Sequence, residues 1–223
     1  MESKRLLLIG GGGHCRSVLD SLLRLGKYDE TGIIDRESES QIFGVPVIGT
    51  DSDLPRLFAQ GWHDAVITLG SIGAPARRRT LFQELREIGF RFPPVVDPSA
   101  LIGMGAEIGD GTFVGKRAVI NSGTRVGRCA IINTGAILEH DCSIGDFAHI
   151  APGCTLCGQA AVGENTHVGA GSVVRQRLHI GAGTLIGAGS VVVSPIGDHV
   201  KAYGNPCRVV TTEWESISSR KPE

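Results

Sequence analysis

The chain has 223 residues, with 22 Lys and Arg against 23 Asp and Glu and a formal charge of −1. That balance leaves no cationic surplus for a nucleic-acid backbone, and no apolar run approaches the ~18 residues of a membrane span. Glycine is abundant at 32 residues and aromatics scarce at 5 %, which suggests a backbone that turns often around small and β-branched side chains.

The first 97 residues alternate strand and helix. Arg5–Gly10 reads as an apolar strand, and His14–Gly26 has helical spacing with a glycine at its end. Thr31–Asp35 and Val45–Ile48 are further strands, Asp51 looks like the cap of the next helical segment, and Asp64–Leu69 is another strand. Pro75–Ile88 reads as a helix and Arg91–Val96 as a last extended piece. This succession implies a small parallel α/β domain, too short for both halves of a dinucleotide fold. The run Arg77-Arg78-Arg79 reads as a solvated helix face.

From residue 98 to 210 the chain is a repeat of period six. Stepping from Ile102 to Val192, all sixteen positions are Ile, Leu or Val. Four residues after each stands a small residue, with Leu178 and Ile196 the exceptions. Directly after the aliphatic position, nine of sixteen are Gly and two Asn, residues that tolerate φ > 0. A six-residue period fits a three-sided parallel β-helix, each six giving one strand and one turn and three sixes making one coil. Residues 211–223 are expected to be a tail.

Departures from the repeat mark candidate chemistry. Glu139-His140-Asp141 replaces the usual turn, with Asn133 in the preceding unit and His149 in the following one. An imidazole between two carboxylates suits proton transfer near neutral pH; the alternative is a solvated turn histidine. His149 and His167 should stack in adjacent coils while His179 falls on another face, so no metal site is expected. Cys154 and Cys157 read as packed thiols rather than a zinc knuckle. With Cys15, Cys129, Cys142 and Cys207 they make six cysteines, expected to be reduced in a cytoplasmic protein because the Met1–Arg5 start shows no export signal. Between the first strand and helix, Gly10-Gly11-Gly12-Gly13-His14 would either bring backbone amides to a phosphate or make only a tight turn, and Cys15 interrupts the dinucleotide fingerprint. Asp35 is placed to accept from a ribose or base.

These segments together resemble the bacterial hexapeptide-repeat sugar O/N-acetyltransferases with an N-terminal nucleotide-sugar domain. Members include sialic acid O-acetyltransferases, the UDP-amino-sugar N-acetyltransferase of bacillosamine synthesis and perosamine N-acetyltransferases. The resemblance rests on IGGGGHCRSVLD, GVPVIGTDSDLP, PSALIG, ILEHDCSIGDFAHIAPG and YGNPCRVV; the family usually has His where Asp97 stands. It implies a Rossmann-like α/β domain followed by a left-handed β-helix, a homotrimer, and acetyl-CoA as cosubstrate without metal. It also implies His140 as general base, Asp141 orienting its ring, Asn133 assisting, and His149 as a second active-site histidine. Gly12, Gly13, His14 and Asp35 would bind the nucleotide sugar. Acetyl-CoA would lie between neighbouring prisms near Gly158, Ala170 and Ala188, its phosphates by Lys201 or Arg208. The expected acceptor is the amine of a UDP-linked 4-amino-dideoxy sugar. O-acetylation of sialic acid or a related sugar, an NAD-type oxidoreductase and a non-catalytic scaffold remain as alternatives.

Overall fold

The computed structural model describes residues 3–36, 40–70 and 76–211. The N-terminal unit comprises β1 (Arg5–Ile9), α1 (Gly13–Leu25), β2 (Glu30–Ile34), β3 (Gln41–Ile42), β4 (Val45–Gly49), α2 (Leu54–Ala59), β5 (Asp64–Ile67) and α3 (Ala76–Ile88). Its sheet runs β3-β4-β2-β1-β5, parallel except for the β3–β4 hairpin. The sequence pattern misses β3, which is only two residues long. Its turn, Phe43-Gly44, has positive φ at both residues, as tight hairpins require. The cap expected at Asp51 is instead Thr50, whose N–H donates to the Asp53 carboxylate at 2.9 Å.

The second unit is a solenoid of two-residue strands stacked in parallel on three walls. Ile137–Leu138 and Thr155–Leu156 lie on the first wall, Ser143–Ile144 and Ala161–Val162 on the second, and His149–Ile150 and His167–Val168 on the third. Strands on a wall pair with residues 18 positions on, so each coil is three sixes. The aliphatic row fills the core from Val114 to Val192. The small row packs beside it, and its hydroxyls are satisfied internally. Thr124 Oγ1, for example, donates to the Glu139 carbonyl at 2.8 Å and accepts the Cys142 N–H at 3.1 Å.

The glycine row has a different cause from the one the sequence suggests. Positive φ falls three residues after the aliphatic position, at Gly105, Gly123 and Gly153 and also at Asp141, Phe147 and Arg177. The glycines directly after it meet the next coil instead: a Cβ on Gly163 would stand 2.5 Å from the Ala182 nitrogen. Close approach of backbones, rather than backbone handedness, selects glycine there.

The two units share their packing. Val95, Phe113 and Ile131 of the third wall join the cluster of Val18, Leu19 and Leu22 of α1. Val95–Val96 already pairs with Phe113–Val114, so the wall begins ahead of residue 98. Asp97, buried at this seam, accepts from Ser21 Oγ at 2.5 Å and Ser99 Oγ at 2.6 Å. Burial raises its carboxyl pKa, but these hydrogen bonds and Lys116 outweigh that and hold it below the usual range.

Candidate active site

Glu139-His140-Asp141 forms the corner between the first and second walls. Asn121 Nδ2, one coil below, donates to Glu139 Oε2 at 3.0 Å, and Thr124 holds the Glu139 carbonyl. Asp141 takes left-handed backbone at φ 58°, which a short polar residue tolerates better than a branched one. His140 Nδ1 lies 2.9 Å from Asp141 Oδ2. A carboxylate can only accept, so Nδ1 carries a proton, and in the neutral ring the lone pair is on Nε2. That Nε2 edge lies over Gly158 in the next coil, close enough that a Cβ on Gly158 would collide with it. Together they open onto a cavity of about 720 Å³ lined also by Cys157, Gln159, Arg175, Gln176, Arg177 and Leu178.

Asn133 is elsewhere. It sits on the corner after the third wall, and its Nδ2 lies 3.1 Å from His149 Nε2. Within one chain it therefore accompanies His149, not His140. Its Oδ1 accepts the Thr134 N–H at 2.8 Å, so the Nδ2 side must face the histidine. His149 Nε2 is then an acceptor, and the ring proton resides on Nδ1. As expected, His167 stacks on His149 from the next coil, ring centroids 4.7 Å apart and edge to face. Burial lowers the His167 pKa, and its Nδ1 has no hydrogen-bond partner among the described residues. His179 lies on the second wall. Among the described residues no group of three or more His, Cys, Asp or Glu side chains could hold a metal ion.

The remaining expected cofactor residues divide between these faces. Gly158 lies beside His140. Ala170 and Ala188 occupy successive coils of the corner that carries Asn133, and Lys201 extends the wall of His149. Arg208 is on the closing antiparallel strand Arg208–Thr211. Cys154 is buried as expected, whereas Cys157 is half-exposed.

At the glycine loop, Gly12 and Gly13 are exposed, with open space around their α-carbons, at the N-terminus of α1. Asp35 accepts the Gly11 N–H; it pins the loop with an oxygen expected to read a ribose or base. His14 packs edge-on against Phe113 of the third wall at 5.4 Å, two coils below His149. Burial first, and the Arg78 guanidinium second, push the His14 pKa down to about 4. Arg78 corrects the reading of a solvated arginine run. It is 2 % exposed and donates through Nη2 to the Cys129 carbonyl at 2.6 Å, its Nε and Nη1 unpartnered. Helical spacing offered a signal for this, since Arg78 shares a face with the buried Leu81 and Leu85.

Residues 5–85 match the PglD N-terminal domain family, residues 105–140 the hexapeptide repeat of succinyl-transferase, and residues 141–176 the bacterial transferase hexapeptide. No curated protein matches the sequence. Among solved structures, the acetyltransferase domain of PglB from Neisseria gonorrhoeae FA1090 is similar at 33% identity. The match covers 93% of this chain and 100% of that one, with a TM-score of 0.87, and that domain has also been crystallised with acetyl coenzyme A. PerB from Caulobacter crescentus, in complex with CoA and GDP-perosamine, is similar at 36% identity over 92% of this chain and 96% of that one, with a TM-score of 0.85. WeeI from Acinetobacter baumannii AYE, at 24% identity over 92% and 99% and a TM-score of 0.80, shares the fold.

Proposed function

Because the chain belongs to the hexapeptide-repeat sugar acetyltransferases that carry a PglD-type N-terminal domain, we propose that it moves the acetyl group of acetyl-CoA onto the amine of a nucleotide-linked amino sugar. The observation that carries this reading is the His140–Asp141 pair, with Nδ1 held by the carboxylate and Nε2 at the mouth of a cavity. The acceptor nitrogen attacks the thioester carbonyl carbon while Nε2 takes its proton, a contribution of ~10²–10⁴ in rate for a positioned base. Collapse of the tetrahedral intermediate breaks the C–S bond, and the leaving thiolate recovers the proton from the imidazolium. The Gly158 N–H, beside the His140 ring, is the backbone donor for the oxyanion.

The diphosphate of the acceptor sits on the exposed amides of Gly12 and Gly13 at the α1 N-terminus, with neutral His14 beside it. This places the acceptor on the third wall, the wall of Asn133 and His149, whereas His140 lies on another corner of the same prism. A complete site therefore joins His140 and Asp141 of one chain to His14, Asn133 and His149 of the next, as in a homotrimer. Acetyl-CoA occupies the groove between the two prisms, touched by Gly158 on one side and by Ala170 and Ala188 on the other.

The test is release of free thiol from acetyl-CoA across UDP-, GDP- and CMP-linked amino and hydroxy sugars. A UDP-linked 4-amino sugar is the expected acceptor by resemblance, and GDP-perosamine belongs in the panel because PerB holds it. Turnover with hydroxy sugars alone would replace the amine by a hydroxyl acceptor. Absence of thiol release with every acceptor would end the reading. A single-chain mass in light scattering would end the shared site.

A further inference from the structure

The corner that carries His140 bears a second feature that proton transfer does not use. Two coils further on, at ~5 Å per coil and on the side away from the N-terminal unit, it carries Arg175 and Arg177. Both are exposed, and both line the His140 cavity, whose wall holds two guanidinium groups and no carboxylate. Two other arginines of the solenoid face acids in an adjacent coil: Arg128 pairs with Asp146 at 2.5 Å and Arg125 with Glu107 at 3.7 Å. The residue one coil below Arg175 is Cys157 and the one below Arg177 is Gln159. Neither arginine pairs with an acid among the described residues. Gln159 Oε1 accepts from Arg177 Nε at 2.8 Å and fixes the direction of that side chain. Such a strip lacks only an anion. Guanidinium forks match phosphate oxygens in geometry and charge.

Building on the acetyltransferase reading, we propose that Arg175 and Arg177, steadied by Gln159, bind the pyrophosphate end of the acyl donor. With the thioester at His140, the pantetheine arm runs up this corner, and the strip lies along its path. The nucleotide sugar carries the same chemistry in its diphosphate, but the glycine loop that suits it lies on the third wall near the base of the solenoid.

Calorimetric titration of the full-length protein separates these sources without requiring turnover. The ligands are CoA, phosphate-free pantetheine and a UDP-linked 4-amino sugar. In the double variant Arg175→Gln/Arg177→Gln the CoA Kd should rise about tenfold or more, while pantetheine and the nucleotide sugar bind as before. The double lysine variant should recover part of the loss. In turnover, KM for acetyl-CoA should rise with little change in kcat, and S-acetylpantetheine should be used equally by both proteins. Unchanged CoA affinity overturns the proposal. So does an equal loss for pantetheine, which would indicate a damaged groove, or a loss confined to the nucleotide sugar, which would assign the strip to the acceptor. Because binding is read apart from acetyl transfer, the strip can fail while thiol release succeeds, and the reverse.

Discussion

Two corners of the same prism follow one period and one backbone course, yet they are built differently. Between the second and third walls, the residue after each aliphatic is Gly109, Gly127, Gly145, Gly163 and Gly181. Between the first and second walls, the same step beyond the first coil is Asn121, Glu139, Cys157 and Arg175. The second corner is not inherently roomier. At Gly103, its first coil, a Cβ would stand 2.6 Å from the Ser122 nitrogen, much as at the glycine corner. Tight coil stacking is therefore the default, and it is relaxed where side chains are needed along one edge. That edge leads from Glu139 past the His140 cavity to Arg175.

The hardest test of this contrast removes the imidazole from the working edge. His140→Ala should lower kcat by ~10²–10⁴ while calorimetry finds the CoA affinity close to that of the unaltered protein. Near-normal turnover would make the corner a decorated turn. A finer test moves the ring without deleting it. In Gly158→Ala the new Cβ meets the His140 ring, and a misplaced base costs roughly 10–100-fold in kcat. The unfolding midpoint should stay put, since the obstacle is the end of an exposed side chain. Unaltered kcat would mean that catalysis uses another position of the ring.

The glycine corner answers to stability instead. Gly163→Ala puts a Cβ against the backbone at Ala182, 2.5 Å from nitrogen and 2.7 Å from Cα, and overpacking of this kind costs ~1–3 kcal/mol. Cys157→Ala keeps the Cβ that its corner already accommodates, so it should change stability by only about 0.5 kcal/mol. Urea unfolding at one fixed chain concentration compares the two. Equal losses would show that the corners do not differ.

Much of this was legible in the sequence, for a physical reason. A solenoid repeats one local rule, so the rows of Ile, Leu and Val and of small residues name the core directly, and His167 against His149 follows from counting eighteen. What the rows conceal is why a glycine is present. Two rows are glycine-rich, one for positive φ and one for backbone contact, and composition cannot separate them. Within one chain Asn133 stands beside His149 and not His140, because nearness in sequence does not survive a turn to another wall. Arg78 was misread because charge outweighed its spacing from Leu81, although that spacing turns the side chain inward. Asp35 shows the same limit in a loop, where one oxygen of the acid holds the Gly11 amide, a contact the sequence did not announce.

The N-terminal unit offers the mildest perturbation, and its sign follows from burial. His14, pushed down to about 4 chiefly by desolvation and next by Arg78, is neutral in the folded chain where an unfolded imidazole, at about 6.5, binds a proton. Between those values the unfolded state holds more protons, so folding stability is complete above pH 6.5 and falls as the pH drops toward 4. Allowing for partial solvent screening, about 1 kcal/mol should be lost between pH 7 and pH 5. His14→Leu should remove that part of the pH dependence, as read from urea midpoints at the two pH values. Arg78→Gln tests the smaller cause. Taking away the cation should let the His14 resonance titrate at higher pH, with desolvation still holding it below an exposed histidine. A resonance that does not move would place the guanidinium too far from the glycine loop to influence the proposed acceptor site, and would leave Arg78 a clamp on the Cys129 carbonyl alone.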